Sequence, residues 1–354
     1  MKKIPLILNK RQENILDLLS GGKPLKISGI ISGLKTAYSG TSKITINRDL
    51  KTLIASGYVI KKGKARATVY EFSSSYNLLR SVEVKKYFSV PADKREAKEK
   101  FDFNIFSLLK NIFTGEEEKY LYSLNGEYRD NLKRISPAIA KNELERLIIE
   151  LSWKSSRIEG NTYSLLETEV LIKEKKEAKG HNKEEAIMIL NHKETLDYII
   201  NNKKIFNNVS TAKIEDIHYL LTKNLGIAKN LRKSAVGIVG TKYRPLDNQH
   251  EIREAMGKAC GVINREKNHF AKALVLSLLI AYIQPFEDGN KRTSRLSANA
   301  VLLANNICLL SYRNVDEVEY KKAVILFYEQ NNLSYFKRLF IEQSEFAVKN
   351  YFKA

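Results

Sequence analysis

The chain has 354 residues, 43% of them hydrophobic and 28% charged, enough apolar material for two or three packed domains. Six prolines and 17 glycines exclude a collagenous or proline-rich chain, and two cysteines exclude a disulfide framework or a multi-cysteine zinc site. The 60 Lys and Arg against 40 Asp and Glu leave a net charge of +20, which favours an anionic partner: nucleic acid, a nucleotide or an acidic membrane surface.

The first ten residues carry basic side chains and then a very short apolar run, unlike a signal peptide. The longest apolar stretch, 270–283, holds Lys272 and is too short to span a bilayer. Cys260 and Cys308 fit a reducing compartment. The expectation is a soluble cytoplasmic protein with no membrane partner.

Charge concentrates at the start: residues 1–75 hold 14 Lys or Arg against 4 Asp or Glu. Asn9 can cap a first helix with Gln12 at its third position, and Gly21-Gly22 would end it in the left-handed conformation. A second helix lies within 27–34. A third begins at Thr41 or Ser42 and ends at Gly57, with Ile46, Leu50, Leu53 and Ile54 facing inward. Lys43, Asn47, Arg48 and Lys51 occupy its other face. Tyr58 to Ile60, a basic turn from Lys61 to Arg66, and Thr68 to Phe72 read as a hairpin. This order resembles a winged helix-turn-helix, and "TSKITINRDLKTLIASGYVIKKGKARATVYEF" is similar to the recognition helix and wing of many bacterial regulators. The resemblance implies DNA binding: Lys43, Asn47, Arg48 and Lys51 toward a groove, Lys62, Lys64 and Arg66 toward phosphates. A protein-interaction module with a solvated basic face is the alternative.

Residues 76–134 read as a helical linker region after the polar break Ser73-Ser74-Ser75. Residues 135–156 form an amphipathic helix through Leu144, Leu147, Ile148 and Leu151. Further helices are expected near 184–201, 213–224, 251–264, 269–283, 291–305, 315–330 and 334–351. A hairpin, "AVGIVGTKYRPL", is expected at 235–246.

The stretch "AYIQPFEDGNKRTSRLSANAVLL" is the most informative. An apolar helix ends at Ile283, a turn follows with Pro285, Gly289 and Asn290, and a new helix starts near Lys291. Gly289 and Asn290 can expose backbone N–H groups at a helix N-terminus, and Lys291, Arg292 and Arg295 add positive charge. Asp288 makes sense there as a ligand for Mg2+ bridging phosphates. Two readings stand side by side: a Mg-nucleotide site, or a surface helix start with a salt-bridge cluster.

These residues resemble the Fic (Fido) family, whose motif reads His-x-Phe-x-Asp/Glu-Gly-Asn-Gly/Lys-Arg-x-x-Arg. The resemblance extends over roughly residues 80 to 345. It implies a mainly α fold: a winged helix domain at 1–75, then an all-helical Fic domain at 135–354 with a β-hairpin flap. It implies ATP and Mg2+ as cofactors and transfer of AMP to a Ser, Thr or Tyr hydroxyl of a target protein. By position, Phe286 anchors the loop, Asp288 holds Mg2+, and Gly289, Asn290, Lys291 and Arg292 surround phosphates. Arg295 holds the terminal phosphate, and Val239, Gly240 and Thr241 form the flap. Ser155-x-x-x-Glu159-Gly160 matches the family's inhibitory motif, which makes 135–161 an inhibitory helix whose Glu159 pairs with Arg295. Such proteins often form homodimers.

Two departures matter. The catalytic histidine position holds Gln284, and an amide does not accept a proton near neutral pH. Lys291 stands where the AMP-transferring members most often have glycine. The other histidines, His181, His192, His218, His250 and His269, are distant in sequence and read as structural or exposed. Three functions follow: a self-inhibited AMP-transferase impaired by Gln284, a nucleotide-binding pseudoenzyme acting as a DNA-binding regulator, or a Doc-like protein phosphotransferase.

Overall fold

Among the described residues the first elements are the helices α1 (Lys10–Ser20), α2 (Ile27–Leu34) and α3 (Lys43–Ala55). The computed structural model describes residues 8–353 except Gly22, Thr36, Ala37, Ser39 and Ser74, and except the side chain of Arg66. Asn9 caps α1 by accepting from the Gln12 N–H, while the Gln12 side chain accepts from the Asn9 N–H. Ser42 caps α3. Ile15, Leu19, Ile30, Ile46, Leu50 and Leu53 are buried between the three helices. Asp49, also buried, accepts from Arg11 (2.5 Å) and Gln12 (3.2 Å) and ties α3 to α1. The expected left-handed stop after α1 is absent at Gly21, whose φ is −61°; Gly22 lies outside the described residues.

β1 (Val59–Lys62) and β2 (Val69–Phe72) form an antiparallel hairpin, with Val59 opposite Phe72. Lys61 and Lys62 belong to β1 rather than to the turn. Gly63 makes the turn at φ +78°, where a Cβ would lie 2.4 Å from the Ala67 carbonyl oxygen. The expected order of three helices and a hairpin is therefore present.

The segment 76–134 is more than a linker. It holds the short helices α4 (Tyr76–Leu79), α5 (Val84–Ser89) and α6 (Ile105–Leu108), then α7 (Gly115–Arg134), a 20-residue helix whose bounds the helical reading of this segment did not specify. Thr114 and Glu117 form a capping box at the start of α7. Phe101 stacks on Tyr282 at 4.6 Å. The Asn332 side chain donates to the carbonyls of Asn77 and Arg80. Leu78 and Leu79 join one hydrophobic core that runs from α1 to the last helix.

The described residues continue through the α-helices α8 (Pro137–Ile158), α9 (Leu165–Glu174), α10 (Lys183–Asn201), α11 (Thr211–Thr222), α12 (Gln249–Arg265), α13 (His269–Ile283), α14 (Asn290–Ala304), α15 (Glu317–Gln330) and α16 (Ser334–Asn350). α13 is apolar on nearly every side and nearly every residue is buried, as a central helix requires. α14 packs along it, and α8, α10 and α11 cover α14.

The expected hairpin at 235–246 does not form. That stretch is a loop turning at Gly240 (φ +84°). Two of its carbonyls are taken by arginine side chains instead of a strand: Arg95 donates to Gly240 and Arg232 to Leu246, while Arg232 also donates to Ser234 just before it. Its one sheet-like bridge among the described residues pairs Arg244 with Lys100. The helical domain has a flap-like loop, not a β-hairpin flap. No helix among the described residues is long and apolar enough to cross a membrane.

Candidate nucleotide site

α13 stops at Gln284, which takes φ +51°. The chain turns through Pro285 to Asp288, and Gly289 at φ +78° starts α14. Glycine is required there, because a Cβ would also meet Thr222 Cγ2 at 3.1 Å. Phe286 is fully buried and stacks face to face on His218, with ring centroids 3.7 Å apart. His218 Nε2 donates to the Asp288 carbonyl at 3.0 Å. Burial pushes the His218 pKa down to about 4, so the ring is neutral and one nitrogen carries a proton for that bond. His218 is thus part of the loop's support.

Asn290 also supports the loop. Its carboxamide accepts from the Phe286 N–H at 2.9 Å and donates to the Phe286 carbonyl at 2.8 Å. The side chain expected to surround phosphates is occupied internally, which leaves its backbone N–H for that role.

Arg292 and Arg295 lie one turn apart and are buried. Arg292 Nη2 donates to the exposed Asp288 carboxylate at 3.3 Å. Arg295 is held by three groups: Nε donates to Ser155 Oγ (3.0 Å), and Nη2 donates to the Ser155 carbonyl (2.8 Å) and Glu159 Oε1 (2.9 Å). Its guanidinium also faces the Tyr320 ring at 5.3 Å. The Nη1 of each arginine has no partner among the described residues. Lys291 Nζ reaches the other oxygen of Glu159 at 3.3 Å. Burial acts to raise the Glu159 pKa, but Arg295, Lys291 and Arg292 outweigh it and hold the carboxyl below its ordinary range. Glu317 of α15 accepts from Lys154 and Arg157, both at 3.0 Å, and pins the end of α8 that carries Glu159.

Gln284 is buried. Its Nε2 donates to the Ala281 carbonyl (2.6 Å) and the Tyr328 hydroxyl (3.3 Å). Arg232, fully buried, donates from Nε to the Gln284 carbonyl (2.7 Å), and its backbone N–H donates to the Pro285 carbonyl. In the sequence Arg232 looks like one more surface cation. Among the described residues no histidine is hydrogen-bonded to Gln284. His192 is buried against Ser152, His181 bonds Thr162, and His250 is exposed.

In the loop at 239–241, Val239 is 96% exposed and the Thr241 hydroxyl accepts from the Tyr243 N–H. Tyr243 stacks on Tyr328, which brings the base of the loop beside Gln284. The remaining candidates lie elsewhere. Lys43, Arg48 and Lys51 are exposed on α3 and Asn47 is half-buried beside them. Lys64 is exposed, Lys62 pairs with Glu71 across the hairpin at 2.6 Å, and the Arg66 side chain lies outside those described.

No group of three or more His, Cys, Asp or Glu among the described residues could hold a metal. The loop carries two exposed carboxylates, Glu287 and Asp288, and Asp288 is the one that reaches Arg292. That suits Mg2+, which binds through one or two carboxylates together with substrate phosphates, and not a protein-only cage.

Residues 208–302 match the model of the Fic/DOC family. The match takes in the whole loop from Gln284 to Arg295, so this part of the chain is similar to a Fic domain. A probable protein adenylyltransferase of Aquifex aeolicus is 31% identical over 108 residues, 30% of this chain and 33% of that protein. A protein adenylyltransferase Fic of Nematostella vectensis is 28% identical over 171 residues, 46% of this chain and 39% of that one. The chain thus matches about a third to two fifths of these relatives' length. Fic-1 of C. elegans superimposes with a TM-score of 0.56 at 18% identity, over 67% of this chain and 71% of that one. A Fic domain containing signaling protein of Bacteroides thetaiotaomicron gives 0.54 at 18% identity, over 65% and 96%. These two structures share the Fic-domain fold.

Proposed function

We propose that the Fic domain binds Mg-ATP at the loop and helix formed by 284–295 and transfers AMP to a Ser, Thr or Tyr hydroxyl of a protein. Glu159 inhibits it. The observation that carries this reading is the pair of buried guanidiniums, Arg292 and Arg295, each with an Nη1 that has no partner among the described residues. Buried cations without full pairing are costly unless an anion completes the site. Among the described residues Glu159 is the one carboxylate that reaches Arg295, and it stands where a terminal phosphate would compete. Adenylyltransferase names among the relatives favour AMP transfer.

In the transfer, the hydroxyl oxygen bonds to the α-phosphorus, the bond to the β-phosphate oxygen breaks, and pyrophosphate leaves. Mg2+ held by Asp288 neutralises phosphate charge when bound. Arg292, Arg295 and the N–H groups at the start of α14 orient the phosphates. The hydroxyl proton must go to a base, and the Gln284 amide cannot take it.

That last point supports a second reading. The Gln284 Nε2 is engaged by Ala281 and Tyr328, so the side chain is built into the loop rather than aimed at a hydroxyl. The Fic domain would then be a nucleotide-binding regulator, joined to a winged helix at 1–75 that binds DNA. A Doc-like phosphotransfer draws support only from Lys291, which here engages Glu159. Incubation with ATP labelled at the α- or γ-phosphate separates the three. Protein-bound α-label means AMP transfer, γ-label means phosphotransfer, and binding without label means a regulator.

A further inference from the structure

Arg95 lies outside every motif, in the segment between α5 and α6, yet it is buried. Its Nε and Nη2 donate to the two oxygens of Glu329 at 2.9 and 2.8 Å, a two-point pairing between planar groups. Nη2 also donates to the Gly240 carbonyl at 2.5 Å. Glu329 is fully buried on α15, next to Tyr328, and it accepts from the Tyr87 hydroxyl at 2.7 Å. Nearby backbone bonds reinforce the arrangement: Lys98 N–H to the Glu329 carbonyl (2.7 Å) and Arg244 N–H to the Glu99 carbonyl (2.8 Å). The 87–99 segment therefore lies across both the loop at 239–244 and the end of α15. The left-handed turn at Gly240 has no strand ladder, so Arg95 is the side chain that fixes its carbonyl.

We propose that Arg95, held by Glu329, is a positioning residue that sets the loop at 239–241 for an incoming target segment, leaving nucleotide affinity to the Arg292 and Arg295 side. The proposal rests on the transferase reading for its target, but the loop contact stands on geometry alone. Lysine at 95 would keep an ion pair with Glu329 yet lack the fork that serves both the carboxylate and the carbonyl. Arg95→Lys therefore separates a role in the loop from a role in the fold.

The test uses the full chain. Hydrogen exchange of amides 237–243 should rise at least tenfold in Arg95→Lys, while the 59–72 hairpin stays unchanged. Glu329→Gln, which keeps the shape and loses the charge, should loosen the same amides. In a Glu159→Gly, Gln284→His background, Arg95→Lys should lower α-label transfer at least tenfold and leave the ATP Kd within twofold. Unchanged loop exchange overturns the proposal. So does an ATP Kd that rises in step with the loss of transfer. If the background variant transfers nothing, the transferase reading fails, and loop exchange alone then decides the Arg95 assignment.

Discussion

Glu159 Oε1 accepts a hydrogen bond from Arg295 Nη2 at 2.9 Å across 136 positions of sequence. Lys291 holds the second carboxylate oxygen, so the residue after α8 bridges two turns of α14. In the proposed function this one contact decides whether a terminal phosphate is admitted.

Removal of Glu159 should have two opposite effects. Arg295 is fully buried, so Glu159→Gly should cost about 3 kcal/mol without ligand, the low end for breaking a buried pair. ATP affinity should rise about tenfold, and Mg-ATP should restore much of the lost stability. Calorimetry and thermal melts with and without Mg-ATP measure both. The folded pKa of Glu159 lies below its unfolded value, so the stability it confers is complete above about pH 4.3 and is lost as pH falls through the folded value. The difference between wild type and Glu159→Gln should therefore be constant from pH 6 to 8 and shrink only in acid.

The missing base is a separate defect. Glu159→Gly alone should bind ATP but transfer little, since general-base catalysis contributes roughly 100- to 10,000-fold. Gln284→His alone should also give little, because Glu159 still holds Arg295. Only the double variant should label itself strongly with α-labelled ATP. Vigorous transfer by Glu159→Gly alone would mean that another group takes the proton.

Asp288→Ala should weaken ATP binding in the presence of Mg2+ and leave the fold intact. The carboxylate is 71% exposed and makes one 3.3 Å contact to Arg292. Titration of the full chain with ATP, with and without Mg2+, checks this; an unchanged Mg2+ effect removes Asp288 from the site.

Buried histidines set a pH limit. His218 titrates at about 4 in the folded chain against 6.5 unfolded. Between those values the unfolded chain carries the extra proton, so stability falls as pH drops, by about 1.4 kcal/mol per unit. It is complete above pH 6.5. His192, also pushed well down by burial and by Arg295 and Arg292, adds to the slope. Urea midpoints from pH 7 to 4.5 should show a shallower slope for His218→Gln than for wild type.

On the DNA reading, the full chain should bind duplex DNA with steep salt dependence. Lys43→Ala with Lys51→Ala should lower the slope of log K against log salt by about 2. An unchanged slope would assign these exposed lysines to solvent or to a protein partner.

Local order was legible in the residues. The capping pair Asn9 and Gln12, the span of α13 and the glycine turn at Gly289 each follow from side chains a few positions apart. The motif from Gln284 to Arg295 likewise singled out the loop, because its glycine, arginines and carboxylate are close in sequence. Within the helical region 76–134 the bounds of α7 were not legible because its apolar face is narrow: Leu121 and Leu124 are its buried positions, among many charges.

The sequence by itself determined the helical pattern, the helix stop at Gln284, and the chemistry available in the 284–295 stretch, since periodicity, capping and side-chain type are local properties. Tertiary structure alone decided which charges are buried and what they hold. Arg95, Arg232 and Glu329 look like surface residues in the chain, yet they are buried and fix the carbonyls of Gly240, Gln284 and Leu246 directly or through a partner. It also decided that 235–246 is a loop. A β-prone pattern offers a ladder only if its carbonyls meet another strand, and here the side chains of Arg95 and Arg232 take the carbonyls of Gly240 and Leu246.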